Sequence, residues 1–329
     1  MNTEMASGKQ NRIKVWILLA CVCAFGALYL SSIVKNCSRV EAPRTEKWGS
    51  KNADDSYVTG GTAEGTKSVT ENDSYVPERP EQEAEAEAPS EGLSQAVYES
   101  LEQPAPINNR PEAILCKSAF IISFNITTLC PNYVAWHLTA DRTKGGVKRS
   151  DEYIEDMVLG EGSRVMASDY SGSGYDRGHM CPAGDNKNNE RAMMESFMMT
   201  NICPQAHKLN SDWWNDLEIK CREWANKQGD LYIVAGPIFD TPSPKKIGRR
   251  KNVKISVPDR FFKVVLMMGD EPKAIGFIVP NLDLKDDLGK YAVSVDKVEQ
   301  VTGYDFYPNL PDGLERRLER ECKPEKWGL

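Results

Sequence analysis

The 329-residue sequence predicts an α+β domain, built on a mostly antiparallel central sheet flanked by helices and preceded by an apolar segment and an acidic linker. Three observations lead there. Short β-branched and aromatic runs are separated by turn residues, as in hairpin-connected strands. One long run carries apolar residues at helical spacing. Large apolar residues are scarce between residues 36 and 110, which leaves the core to residues 111–329.

Residues 15–34, VWILLACVCAFGALYLSSIV, form an uncharged run of 20 residues. A helix of that length crosses a bilayer core of about 30 Å. Lys9, Arg12 and Lys14 precede it, so the positive-inside bias keeps residues 1–14 in the cytoplasm and sets the remainder outside. The expectation is a single-pass signal anchor holding an extracytoplasmic domain in a bacterial periplasm or cell envelope. The alternative is a cleaved signal, giving a secreted or lipid-anchored protein; Leu18-Leu19-Ala20-Cys21 loosely resembles a lipoprotein cleavage site.

Residues 35–110 are polar and acidic, with Glu81-Gln82-Glu83-Ala84-Glu85-Ala86-Glu87 near the centre. Such composition predicts a disordered tether. Residues 1–35 hold four Lys/Arg against one acid, and 36–110 hold seven against fifteen, which leaves residues 111–329 at −2 of the total −7. The folded part therefore lacks the overall basic excess of many nucleic-acid binders. Locally, Lys245, Lys246, Arg249, Arg250, Lys251 and Lys254 place six cations within ten residues. That loop either tracks a phosphate backbone or is simply solvated.

Within residues 111–329, Phe120–Phe124 and Tyr133–Trp136 read as the first strands. Asn188–Phe197 reads as a short helix with Met193, Met194 and Phe197 on its apolar side. Asn210–Lys227 is the strongest helix, with Trp214, Leu217, Cys221 and Trp224 in one stripe that suits packing on a sheet. Leu231–Ala235 reads as a buried strand ending at Gly236-Pro237. Phe261–Met268 and Ala274–Val279 form a hairpin around Gly269–Pro272. Ser294 caps a helix through Val301, and Asp312 one through Cys322.

Nine cysteines suit an oxidising compartment, and seven lie beyond the apolar run. An odd count leaves at least one without an intrachain partner. Cys116 and Cys130, flanking the first strand pair, are the disulfide candidate; the alternative is that all are reduced, buried thiols.

The chemistry is concentrated in Tyr175-Asp176-Arg177-Gly178-His179. A histidine is neutral near pH 7 and accepts a proton, while a guanidinium binds phosphate oxygens bidentately. In a strand, residues 177 and 179 share a side, so both can meet one phosphate. Gly178 leaves room there for a nucleic-acid backbone. The three histidines lack zinc-ligand spacing, and no Gly-x-Ser-x-Gly elbow supports a serine hydrolase.

The run Asp169–His179, then Thr200-Asn201-Ile202-Cys203-Pro204-Gln205, then Leu209–Glu218 resembles the DNA/RNA non-specific endonucleases of the ββα-metal superfamily, over roughly Pro131 to Pro308. The resemblance implies a ββα-metal nuclease fold that cleaves DNA and RNA to products with 5′ phosphates. It implies His179 as general base and Asn210 as the one direct protein ligand of Mg²⁺, with Mn²⁺ or another divalent cation also suitable. Glu218 would hold metal-bound water, Asn201 would sit near the phosphate, and Arg177 and the upstream Arg149 would clamp it. Lys245, Lys246, Arg249, Arg250 and Lys251 are candidate substrate contacts.

Each residue also has a structural reading. Asn210 caps a helix, Glu218 and Arg149 are surface charges, and Arg177 pairs with Asp176 or Asp185. His137 and His207 are read as structural only. Two other functions compete with the nuclease: an envelope module that binds nucleic acid for uptake without turnover, and a metal-dependent phosphodiesterase acting on small substrates. The sequence does not indicate an oligomeric state.

Overall fold

The computed structural model describes residues 100–108 and 110–329. The expected membrane segment and almost all of the expected linker lie outside the described residues. Among the described residues no helix is long and apolar enough to cross a membrane. Packing begins ahead of the first strand, since Leu101 is fully buried and the Arg110 guanidinium donates to the Thr302 carbonyl at 2.8 Å.

Seven strands form the main sheet, in the order β1-β2-β3-β6-β9-β10-β11. They are β1 Ala113–Cys116, β2 Ile121–Asn125, β3 Cys130–Leu138, β6 Leu231–Ile238, β9 Arg260–Met267, β10 Lys273–Pro280 and β11 Ala292–Val293. Every neighbouring pair is antiparallel. Two small ribbons stand apart from it: β4 Asp176–His179 with β5 Ile202–Gln205, and β7 Lys246–Ile247 with β8 Ile255–Ser256.

Strand periodicity divides the core in two. On β9, Phe261, Val265 and Met267 face one side, where helix α2, Trp214–Lys227, lays down Trp214, Leu217, Cys221 and Trp224. Phe262, Val264 and Leu266 face the other side, against Val295 and Val298 of α3, Val295–Thr302, and Leu318 of α4, Asp312–Arg320. Each large apolar side chain so buried contributes about 1.5–3 kcal/mol relative to exposure. Helix α1, Glu190–Ser196, is capped by Asn189, whose side chain accepts from the Ala192 amide. Ser294 caps α3 through the Lys297 amide, as its sequence position predicts.

Several elements differ from expectation for identifiable reasons. Met194 is half exposed while Met193 is buried, because α1 is only two turns long and presents one narrow side to the core. Strand β6 runs through Gly236 and Pro237 to Ile238, since the β9 pairing continues to Ile238↔Arg260 after the β3 pairing stops at Ala235. A Cβ on Gly236 would sit 2.5 Å from the Asn132 carbonyl oxygen, so the glycine serves close strand approach. Helix α4 ends at Arg320, and Pro311, not Asp312, precedes its first turn.

The expected Cys116–Cys130 disulfide is absent. Cys116 pairs across with Ile121 at one end of β2, and Cys130 with Asn125 at the other, on the opposite edge of that strand. Two strand spacings of about 4.8 Å, plus the length of β2, exceed the roughly 7 Å Cα separation that a disulfide can span. Cys130 is instead buried, with its thiol donating to the Ser256 carbonyl at 3.4 Å.

Candidate active site

The β4–β5 ribbon presents the histidine. Arg177, Gly178 and His179 pair with Pro204, Cys203 and Ile202, and Arg177 and His179 line one cleft of about 250 Å³ with Arg149, Tyr153, Asn210 and Glu218. Gly178 does not leave space for nucleic acid. A Cβ there would lie 1.8 Å from Gln205 Oε1, so the glycine accommodates the Gln205 side chain across the ribbon.

The His179 ring is buried, with edge contact to Phe197 at 4.8 Å and Tyr153 tilted beside it at 5.6 Å. Its Nε2 is enclosed, without a hydrogen-bond partner among the described residues. Burial first, then the positive charges of Arg149 and Arg177, lower its pKa to about 3. The imidazole is therefore neutral and unprotonated at physiological pH, as a base must be.

The opposite wall comes from one continuous helical stretch. Leu209–Trp213 forms a π turn that leads directly into α2. Asn210 lies inside this turn and does not cap it; its side chain instead donates through Nδ2 to Asp176 Oδ2 at 3.1 Å. Among the described residues its Oδ1 takes no hydrogen bond, which leaves that oxygen for a ligand. Eight α-helical residues would leave Asn210 and Glu218 about 80° apart around the axis. A π turn rotates less per residue, so it narrows that offset and lets both side chains line the same cleft.

Burial pushes the Glu218 carboxyl up to about 7, against the opposing pull of Lys263 and Arg222. Lys263 is itself fully buried on β9, with its ammonium 4.2 Å from the centre of the Trp214 ring. Arg222 is held by Asp185 at 3.1 Å and reaches only 3.9 Å from Glu218. A desolvated carboxylate and an amide oxygen fixed by a second carboxylate make an all-oxygen donor set. That set fits a hard divalent cation that keeps most of its water.

Arg149 and Arg177 line the cleft, braced by aromatic rings: Arg149 over Phe197 at 5.2 Å and Arg177 over Tyr153 at 4.4 Å. Among the described residues Arg177 forms no ion pair, because Asp176 binds His207 and Asn210 while Asp185 binds Arg222 and Trp136.

Asn201 is a correction. It is fully buried and does not line this cleft; its amide donates to the Cys181 and Ser196 carbonyls at 2.8 Å and accepts from the Cys181 amide at 3.0 Å. With these bonds made, it fixes the backbone just after His179 and cannot reach a phosphate.

The basic loop is only partly placed. Lys245 lies 4.8 Å from the centre of the Tyr175 ring, at the rim of an adjoining cleft of about 320 Å³ that shares Tyr153, Arg177 and Asn210. Lys246, Arg249 and Lys251 are exposed and line neither cleft. Arg250 turns inward to Asp169 and the Arg164 carbonyl, so it is a structural residue. His137 is structural as expected, stacked on Tyr232 at 4.5 Å and bonded to Asp230.

Three participants escaped the sequence reading: Tyr153, Lys263 and Asp176. The last joins Asn210, 34 residues away, to His207. No spacing rule links such positions.

Residues 99–313 match the family described as DNA/RNA non-specific endonuclease. The chain belongs to that family. Its members are metal-dependent endonucleases acting on phosphodiester bonds. A nuclease from Nostoc sp. (strain PCC 7120) is 35% identical over 219 residues, covering 63% of this chain and 77% of that protein. The mitochondrial nuclease EXOG of Danio rerio is 35% identical over 206 residues, covering 58% of this chain and 59% of that protein. The chain thus spans under two thirds of the length of that relative. The solved structure of EndoG in its complex with EndoGI superposes with a TM-score of 0.57 at 26% identity, over 61% of this chain and 87% of that one.

Two outcomes follow for this family member. Asp176→Ala releases the Asn210 amide, so the divalent-cation concentration for half-maximal activity should rise about 10–100-fold while circular dichroism stays unchanged; an unaltered cation dependence would remove Asp176 from this role. Glu218, raised to about 7, holds a proton below that pH which a cation must displace. Divalent-cation affinity should therefore weaken as pH falls below about 7, and Glu218→Gln should flatten that dependence, as followed by metal titration across the neutral range.

Proposed function

We propose that this chain hydrolyses phosphodiester bonds in both DNA and RNA, without base preference, using Mg²⁺ and leaving 5′ phosphates. The observation that carries the reading is the His179 imidazole, kept neutral and set in the same cleft as Asn210, Glu218 and two guanidinium groups that form no ion pair among the described residues. Such a cleft recognises phosphate and water rather than base edges, and backbone contacts carry no sequence information.

Asn210 Oδ1 and the Glu218 carboxylate would hold the cation, directly and through its water. When bound, it supplies charge stabilisation on the phosphate and on the departing 3′ oxygen. The His179 imidazole takes the proton of the attacking water, and burial keeps the ring from being protonated beforehand. Arg177 and Arg149 orient the phosphate from the other wall, and their aromatic supports limit the freedom they lose on binding. Asp176 keeps the Asn210 oxygen directed at the cation by engaging its amide nitrogen.

The proposal includes an extracytoplasmic domain tethered by residues 15–34, supported by the uncharged 20-residue run and the cations ahead of it. If so, activity sediments with salt-washed membranes and deletion of residues 15–34 releases it; activity soluble in the intact chain would refute the tether.

The catalytic reading is tested by cleavage of supercoiled plasmid and of single-stranded RNA, with Mg²⁺ or EDTA. His179→Ala and Asn210→Ala should each lower turnover by about 10²–10⁴-fold on both substrates, and EDTA should abolish it. Wild-type protein that shifts DNA on a gel but cuts neither substrate would instead establish a binding module. Preferential hydrolysis of a small phosphodiester in the presence of long DNA would establish a phosphodiesterase.

A further inference from the structure

On the sheet face opposite α2, five carboxylates converge where α3, α4 and the segment between them meet. Asp296, Glu299 and Glu319 offer ligand oxygens that all lie within 4.8 Å of one another, and so do Asp305, Glu315 and Glu319. Glu319 is common to both groups. It is 7% exposed, and among the described residues its Oε1 has no hydrogen-bond partner. Among the described residues none of the five forms an ion pair, and the neighbouring Arg316 pairs with Asp312 instead.

A buried, unpartnered carboxylate oxygen costs free energy unless a counter-charge or a proton satisfies it. Here the surroundings make the cost larger. Burial, followed by the charges of Glu299, Glu315, Asp296 and Asp305, pushes the Glu319 carboxyl up to about 9. The scaffold nevertheless holds the group together. The Phe306 amide donates to Glu299 Oε1 at 2.8 Å, and the Tyr307 hydroxyl donates to the Tyr232 carbonyl at 3.3 Å, which pins the connecting segment to the sheet.

We propose that Asp296, Glu299, Asp305, Glu315 and Glu319 form a site for a hard divalent cation of the Ca²⁺ type, separate from the catalytic cleft. The donor set is carboxylate alone, without His or Cys, which disfavours zinc. Ca²⁺ takes 6–8 oxygens at about 2.3–2.6 Å in flexible geometry, whereas Mg²⁺ prefers few carboxylates and retains water. Oxygens on opposite sides of such an ion stand about 4.6–5.2 Å apart, and the oxygens of each group lie within that reach of one another. The ion would tie α3 to α4 and cancel repulsion that otherwise pushes the two helices apart. This inference does not depend on the catalytic reading, because no residue is shared.

The test is Ca²⁺ titration of the full chain by calorimetry at neutral pH, with Mg²⁺ in excess to saturate the cleft, alongside melting curves. Wild type and Asn210→Ala should bind Ca²⁺ saturably at or below about 1 mM and gain thermal stability from it. Glu319→Gln, nearly isosteric and neutral, should weaken binding by at least about tenfold and lose that gain. Asp296→Asn combined with Asp305→Asn, both exposed and so of little risk to folding, should do the same. Nuclease activity in Mg²⁺ should stay within about twofold of wild type in both variants. Absence of saturable Ca²⁺ binding in wild type overturns the proposal and leaves Glu319 as a protonated buried acid. So does binding that survives in both carboxylate variants, or that disappears in Asn210→Ala.

Discussion

The Trp214 indole is the joint on which the catalytic arrangement depends. Its Nε1 donates to the backbone carbonyl of His179 at 3.3 Å, which fastens the start of α2 to the end of β4. One neighbour is the Phe261 ring at 5.7 Å, and the Lys263 ammonium stands 4.2 Å from the ring centre. A single buried side chain thus sets the ribbon that carries His179, the helical stretch that carries Asn210 and Glu218, and the central sheet in one register. Positions held this rigidly suit a reaction in which displacements of about 1 Å are costly.

Electrostatics in the cleft push two titrating groups in opposite directions. Burial and two guanidinium groups keep His179 unprotonated, while burial lifts the Glu218 carboxyl toward neutrality despite Lys263 and Arg222. Both effects favour neutral groups in a metal-free site. In the proposed reaction Glu218 would regain its charge beside a bound cation, and His179 would accept a proton. Separation of pKa values by environment is a recurrent mark of acid and base assignments.

Charge is also distributed unequally across the sheet. The α2 side gathers Arg149, Arg177 and Lys245 around the cleft, with Lys263 beneath it. The α3 and α4 side gathers five carboxylates. This arrangement explains how a domain with nearly balanced charge suits a polyanion: the excess of cations is local. Composition averages over both faces and conceals it.

The sequence by itself determined whatever rests on local periodicity or on a contiguous motif. The sheet strands alternate, the α2 stripe repeats at helical spacing, Ser294 caps α3, and the Arg177–His179 pair shares one side of a strand; each depends on neighbours a few residues apart. The motif order likewise carried the family. Tertiary structure decided what depends on long-range contact. Asn201 and Arg250 turned inward because partners at Cys181, Ser196 and Asp169 consumed their hydrogen-bonding groups. Gly178 proved to serve Gln205, and Cys116 and Cys130 proved to lie at opposite ends of β2. The bond from Asp176 to Asn210 and the π turn that aligns Asn210 with Glu218 were likewise invisible, since neither follows from propensity. Which polar group faces which is settled by packing between distant segments, and only the folded chain brings those segments together.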